Sequence, residues 1–428
     1  MPDRSDAEPP VEPARVGRIG DPNRPRALFI APVPPDRTGN GLAIRAGVTL
    51  EALAEQFDVR FVYAPVYGEQ PMPAWVDELT TGTLVLSETL ADPFIGTLHR
   101  ISALGERRRA MVVYPLPFPA RFSTPEAVDA IAAFGGLDVD LVYVFRLYLA
   151  PLAQPWLAVH PRQARVVLDL DEEDARVTRQ IAELHRLNGD DDSAAVSDAD
   201  AAKLERMAHE WIPRADLVLV ASEKERVAVE ALVPGVTAHV LFNSVPPTGE
   251  EGVAPAVDLL FVGNLSYLPN IDGARWFCRD VLPLLRHRLG RHVRVGVVGS
   301  AVDPRVADLA SDPDVMVVPD LPSVTPWYRA ATVAVVPLRS GGGSRLKILE
   351  AFAHRIPVIS TARGAEGLPV TDGVHLLIAD SEEHLAEGCA RLIGDASLRE
   401  SLVEAAASVA SEHARPRIVA RLAAMLTP

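Results

Sequence analysis

The chain has 428 residues, 48% of them hydrophobic, more than one ordinary core needs, and this length points to two domains. A formal net charge of -15 argues against nucleic acid as a main partner, because a phosphate backbone needs a basic face; a small anionic ligand needs only a local cluster of cations. The two cysteines, Cys278 and Cys389, each sit in an apolar helical pattern, so they read as buried thiols and imply neither a disulfide scaffold nor a zinc site.

Residues 1–25 mix acids, arginines and prolines with no apolar stretch, which predicts a disordered leader and not a signal peptide. ALFIAPVP (27–34) reads as a buried parallel strand, PPDRTGNG (34–41) as a loop, LAIRAGVTLEALAEQF (42–57) as a helix and DVRFVYAPV (58–66) as the next strand, a βαβ opening. Residues 67–135 are rich in proline and predict a variable loop with a helix or two. Strand patterns return at 137–146, 164–172, 215–222 and 237–245, with helical patterns at 147–160, 185–213 and 223–232. PPTGEEGVAPAV breaks the periodicity and predicts a linker over 246–256. A second α/β set follows, with strands at 257–265, 293–300, 315–320, 333–338, 357–361 and 375–379 and a helix at 273–289. The expected domains are 26–245 and 257–400, and a helical, Ala-rich segment over 401–428 leaves a return to the N-terminal domain open. No run of 18 apolar residues predicts a membrane span, and peripheral membrane contact stays open.

The most informative segment is GGGSRLKILEAFAHRIP (341–357). Gly341, Gly342, Gly343 and Ser344 leave backbone amides accessible before a helix start, which favours an anion. Arg345 and Lys347 add cations for charge-assisted hydrogen bonds to phosphate, and Glu350 is an acceptor suited to ribose hydroxyls. Amides, cations and a carboxylate in this order fit a sugar nucleotide; a Gly-rich turn with solvated cations fits the segment equally well. Upstream, Gly263 permits close approach at a strand end, with Asn264 and Ser266 as polar groups, and the backbone near Asp320 ends another strand beside which a base could lie; taken singly, each segment also reads as an ordinary connection between strand and helix, the better reading for the Asp320 loop. None of His99, His160, His185 or His354 has metal-ligand spacing, and GxSxG, GxGxxG and Walker A patterns are missing.

A strand–GN loop–PNIDG–WF block, a VPD loop with a WYRAA helix, GGGSRLKILEAFA, PVIST-RGAEGL and DGVHLLIAD follow one another in this order. That order resembles the C-terminal domain of family 4 glycosyltransferases of the GT-B type, tightly over 257–395 and more loosely over 26–245. The resemblance implies an α/β, GT-B architecture, two Rossmann-like domains facing a central cleft, with acceptor bound by the N-terminal domain and a nucleotide sugar by the C-terminal one. It implies a retaining, hexosyltransferase-type transfer to an acceptor hydroxyl (glycan, lipid-linked sugar or natural product), without metal or cofactor; the two cysteines read as free thiols fit a cytoplasmic location. By the same resemblance Glu350 holds the donor ribose, Arg345 and Lys347 grip the diphosphate, and Gly341–Ser344 lie near the sugar. Gly39, Asn40 and Gly41 face the diphosphate from the other domain, with Arg45 one turn into its helix, either there or solvent-exposed.

Departures from the family pattern are also legible. Gly342 stands where a second glutamate is usual, GNLSYLPNIDG lacks the usual cation pair, and Pro319 replaces a glycine. In LDLDEEDAR (168–176), Asp171 matches a family Asp near the reacting sugar while Leu170 replaces its His partner. Asp169-Leu170-Asp171 mimics a DxD metal motif, a reading the GT-B class disfavours. Arg146 and Tyr148 are candidates for the acceptor side. Two other activities fit the same pattern: a sugar-nucleotide 2-epimerase and a non-catalytic sugar-nucleotide-binding protein.

Overall fold

The computed structural model describes residues 15–158, 164–246, 252–321, 323–342 and 345–427. Gly343, Ser344, His160, residues 1–14 of the expected leader and 247–251 of the expected linker lie outside the described residues. The chain divides into two compact units, one formed by Met1–Phe242 with Ile418–Pro428 and the other by Asn243–Arg417.

The first unit holds an eight-stranded sheet of β1 (Arg15–Val16), β2 (Arg26–Ala31), β3 (Asp58–Tyr63), β4 (Thr80–Val85), β5 (Leu141–Phe145), β6 (Arg165–Asp171), β7 (Leu217–Val220) and β8 (Ala238–Val240), in the order β1-β4-β3-β2-β5-β6-β7-β8. All neighbours are parallel except β1 against β4. Both faces are covered, which is why the strands read as continuous apolar runs. In β2, Phe29 packs with helix α1 (Gly41–Gln56) and the chain's last helix (Arg415–Leu426) on one face. Leu28 and Ile30 pack on the other face with Val144, Leu168 and Trp156.

Two expectations are corrected here. The leader ends earlier than residue 25: Arg15 and Val16 pair with Thr83 and Gly82, and Arg18 makes an ion pair of 2.5 Å with Asp58. The region 67–135 holds the whole of β4 as well as helices; its TTGTLV sequence is too polar to announce a strand.

The second unit holds a six-stranded, fully parallel sheet of β9 (Val257–Val262), β10 (Val295–Gly299), β11 (Val315–Pro319), β12 (Ala331–Val336), β13 (Val358–Ser360) and β14 (Leu377–Ile378), ordered β11-β10-β9-β12-β13-β14. From β9 the chain winds outward through β10 to β11, then returns to the other side of β9 for β12. The winding direction thus reverses between β9 and β12, and the loops that leave their carboxyl ends diverge there. The helix expected at 273–289 begins five residues earlier as α2 (Leu268–Trp276), because Pro269 is tolerated in a first helical turn. It continues through a π-helical turn at Phe277–Val281 into α3 (Leu282–Leu289).

Candidate active site

In the second unit, the carboxyl ends of β9, β10, β11 and β12 carry a contiguous chain of contacts. Asp320 follows β11; its backbone N–H donates to Gly299 O at 2.9 Å and its carboxylate accepts from Ala301 N at 3.0 Å. Gly299 ends β10 so close to β9 that a Cβ there would lie 1.6 Å from Gly263 O, so only glycine fits. A Cβ on Gly263 would lie 2.9 Å from the side-chain amide nitrogen of Asn270. Asn270, in the first turn of α2 and 4% exposed, donates from that nitrogen to Asn264 O at 2.7 Å. Its Oδ1 accepts from Lys347 Nζ at 2.9 Å. One hydrogen-bonded step therefore spans from the β9 loop to the helix after β12.

That helix, α4 (Leu346–Ala353), exists because Ile348, Leu349, Ala351 and Phe352 form one buried face. Lys347 and Glu350 stand three residues apart on it, near-neighbours on its surface. Glu350 accepts from Tyr328 Oη at 3.1 Å, and the Tyr328 ring stacks on His354 with centroids 4.9 Å apart. Lys347 Nζ also lies 5.8 Å from the Phe261 ring centroid at the end of β9. Burial lowers the Lys347 pKa to about 8, helped by the positive charge of Arg345 and opposed by Glu350. Burial raises the Glu350 carboxyl to about 7, against the Tyr328 hydrogen bond and the Lys347 charge. Both groups thus titrate near neutrality, a common property of functional clusters.

The remaining expected residues of this unit are placed as follows. Arg345 has a left-handed backbone (φ 55°) and is 6% exposed. Its guanidinium donates to Gly342 O and Gly341 O, both at 2.8 Å, and stands 3.6 Å from Glu366. It clasps the glycine loop and is not presented to solvent as a free cation beside Lys347. Gly341, with φ 102°, packs its α-carbon against Pro269 of α2. Asn264 is exposed, and its Oδ1 accepts from Ser266 N and Oγ at 2.9 and 2.7 Å. Sequence reading passed over Asn270 and Tyr328; the PNIDG block held the signal for Asn270, hidden by placing the helix start at 273.

In the first unit, Asn40 caps α1 by accepting from Ala43 N at 3.0 Å, and Gly39 supplies the left-handed turn (φ 93°) before it. Gly41 is the first residue of α1. Arg45 is neither a solvated arginine nor an open cation: it is 1% exposed and pairs with Asp169 through Nε–Oδ2 (2.8 Å) and Nη2–Oδ1 (2.7 Å). It also donates to Leu241 O at 2.9 Å, and Tyr143 Oη donates to Asp169 at 2.7 Å. Asp169 is thereby committed to a buried ion pair. Asp171 follows a register shift in β6, has φ 63° and is 6% exposed. Arg146, at the end of β5 with φ 83°, lies 3.3 Å from Asp171, 3.0 Å from Glu172 and pairs closely with Asp174. Its guanidinium lies 5.6 Å from the buried ring of Tyr148, whose hydroxyl bonds Tyr67 Oη at 2.9 Å. Burial lifts the Asp174 carboxyl to about 7 despite Arg146. Among the described residues no three His, Cys, Asp or Glu side chains are grouped to hold a metal ion.

Two doubly covered parallel sheets, with polar loops gathered at their carboxyl ends, define an α/β protein of the GT-B type. Residues 256–395 match the model of the family "Glycosyl transferases group 1". It is 31% identical to the D-inositol 3-phosphate glycosyltransferase of Kribbella flavida over 248 residues, 54% of this chain and 55% of that one. The chain spans 34% and 55% of the lengths of the curated relatives it matches. Among solved structures it resembles sucrose-phosphate synthase from Thermosynechococcus elongatus (TM-score 0.65, 15% identity, covering 94% of this chain and 98% of that one). It also resembles Anabaena HepE in complex with UDP and glucose (TM-score 0.59, 13% identity, covering 94% and 99%). No helix among the described residues is long and apolar enough to cross a membrane.

Proposed function

We propose that this protein is a retaining glycosyltransferase of the hexosyltransferase type, moving a sugar from a nucleotide-diphosphate sugar to an acceptor hydroxyl. The observation that carries the reading is Lys347 and Glu350, half-buried three residues apart on the helix that opens where the strand order reverses. Ligands of open α/β sheets bind at that point. Negative charge grows on the departing diphosphate as the anomeric bond breaks, and the Lys347 ammonium meets it from a fixed position. Glu350 accepts hydrogen bonds from the ribose and so positions the donor. Arg345 acts through the loop: by holding the carbonyls of Gly341 and Gly342 it shapes the turn whose amides face the phosphates. Asp320 and Asn264 border the base and sugar, and Asp171 is the acceptor-side carboxylate. The donor supplies all the chemistry, without metal or cofactor, in the cytoplasm; turnover in EDTA matches turnover without it.

The test begins with thermal shift against UDP, GDP, dTDP and ADP and their sugars, since stabilisation scales with ligand concentration over Kd. UDP is the first choice because the HepE structure is described with UDP and glucose. Lys347→Ala lowers turnover by about 10²–10³-fold, as for loss of one donor to a developing oxyanion. Near-normal turnover in that variant removes Lys347 from the reaction. Glu350→Ala weakens donor affinity by calorimetry, and an unchanged Kd contradicts the ribose role.

A further inference from the structure

Asn270 is a buried amide with a fixed orientation. Its Nδ2 is committed to Asn264 O at 2.7 Å, which turns Oδ1 toward Lys347 Nζ at 2.9 Å. Gly263 lies beside it, near enough that an added Cβ would stand 2.9 Å from the amide nitrogen. Asn270 sits in the first turn of α2, whose Pro269 contacts the α-carbon side of Gly341 in the glycine loop. Lys347 carries a long side chain with several rotatable bonds, and an ammonium on such a stem is an imprecise point charge unless something holds it. A neutral acceptor takes one of its three N–H bonds and leaves two for an anion.

We propose that Asn270 is the positioning residue for Lys347: the loop after β9, through this one amide, sets where the ammonium on the far side of the switch point is aimed. The inference rests on the glycosyltransferase reading only for what Lys347 then does; the Asn270–Lys347 coupling stands independently. It also accounts for the missing cation pair in GNLSYLPNIDG. In this chain that segment supplies a neutral hydrogen-bond acceptor that orients a cation held by another element, where the family places cations of its own. The charged and titratable groups facing Lys347 are Arg345 and Glu350 on its own segment and Tyr328, whose hydroxyl lies 3.4 Å from Lys347 O, on the helix packed beside it. Glu366 offsets Arg345 at 3.6 Å.

The chain contains three lysines, Lys203, Lys224 and Lys347, so its lysine spectrum is readable residue by residue. The full-length protein is labelled with lysine carrying ¹³C at Cε, the Lys347 signal is assigned by its loss in Lys347→Arg, and its shift is followed with pH. Asn270→Ala removes a hydrogen bond to the charged form and moves the Lys347 midpoint below its starting value. Asn270→Asp keeps an oxygen acceptor, adds negative charge and moves the midpoint up by about one unit or more. Gly263→Ala, which displaces the amide without removing it, shifts the midpoint in the same direction as Asn270→Ala. Circular dichroism verifies that each variant is folded, and because the three act differently on the same contact, failure of one to fold leaves the others decisive. A Lys347 midpoint that stays put in the folded variants overturns the proposal. In turnover, Asn270→Ala loses about 10–10²-fold, as expected when a catalytic cation is misaimed by a fraction of its bond length. If Lys347→Ala turns over normally while the midpoints still shift, the enzymatic reading of Lys347 fails and the coupling survives; if the midpoints are unmoved and Lys347→Ala is inactive, the coupling alone fails.

Discussion

Among the described residues the most deeply buried ion pair joins Arg45 and Asp169, 124 residues apart in sequence and 1% and 0% exposed. Two charges out of water at that depth are tolerable only when each is fully engaged, and here Tyr143 and Leu241 O take up the remaining bonding capacity. Asp169→Ala strands the guanidinium and lowers stability by about 3–5 kcal/mol, measured by chemical denaturation. Nothing local in the sequence announces this pair, because an arginine inside an apolar helical run looks the same whether it faces water or a carboxylate from another strand. Lys347 and Glu350 could be singled out in the sequence, since their type and spacing after glycines suit a sugar nucleotide, although a solvated turn fitted as well; Asn270 could not, since its contact is to residue 347. Glu350 binds its proton more tightly in the folded state, so its contribution to stability is present below the ordinary carboxylate range near 4.5 and is lost as pH rises toward 7. Glu350→Gln therefore raises the melting temperature of the ligand-free protein at pH 8 and leaves it nearly unchanged at pH 4. In catalysis, kcat/KM of the wild type rises as Glu350 ionises through about 7 and falls as Lys347 loses its proton above about 8. Lys347→Arg removes the alkaline limb, because a guanidinium does not titrate there.

At the level of elements, the carboxyl ends of the strands concentrate the unusual backbone. Arg146 follows β5 and Asp171 closes β6, while Asp320 follows β11, and Arg345 precedes α4; all four have a positive φ, disfavoured for residues with a side chain. The Gly299–Gly263 contact is the tightest of these junctions. Gly299→Ala forces β10 and β9 apart at the edge from which Asn264 and Asp320 are hung, and costs about 3 kcal/mol, seen as a lower midpoint in urea. Apolar strands such as β2 and β10 were easy to place because both their faces are buried. β4 was missed because Thr80, Thr81 and Thr83 look like turn residues, although Thr80 Oγ1 is satisfied by Val76 O at 3.0 Å. Register shifts in β6 and the early start of α2 likewise depend on partners that no local window contains.

On the scale of the molecule, the chain passes between the two units twice, after Phe242 and after Arg417. The final helix, Arg415–Leu426, places Ile418, Leu422 and Leu426 at 2%, 0% and 1% exposure in the core that also holds Phe29 and Leu53. Gln56 Nε2 donates to Ala423 O at 2.6 Å, tying the end of α1 to it. Leu422→Ala leaves a void in that core and costs about 2–5 kcal/mol. Hydrogen exchange shows the loss in β2 and α1, with the second unit's strands protected as before; uniform loss across both sheets contradicts this assignment.

Because Ile418–Leu426 fills a face of the sheet whose strands lie between Arg15 and Val240, those strands wait for a helix made long after them. On the ribosome, the uninterrupted Asn243–Arg417 unit can close before its predecessor does, against the usual N-to-C order of domain folding. During that interval the apolar surface around Phe29 and Leu53 is bare, and it is there that a chaperone would find this nascent chain.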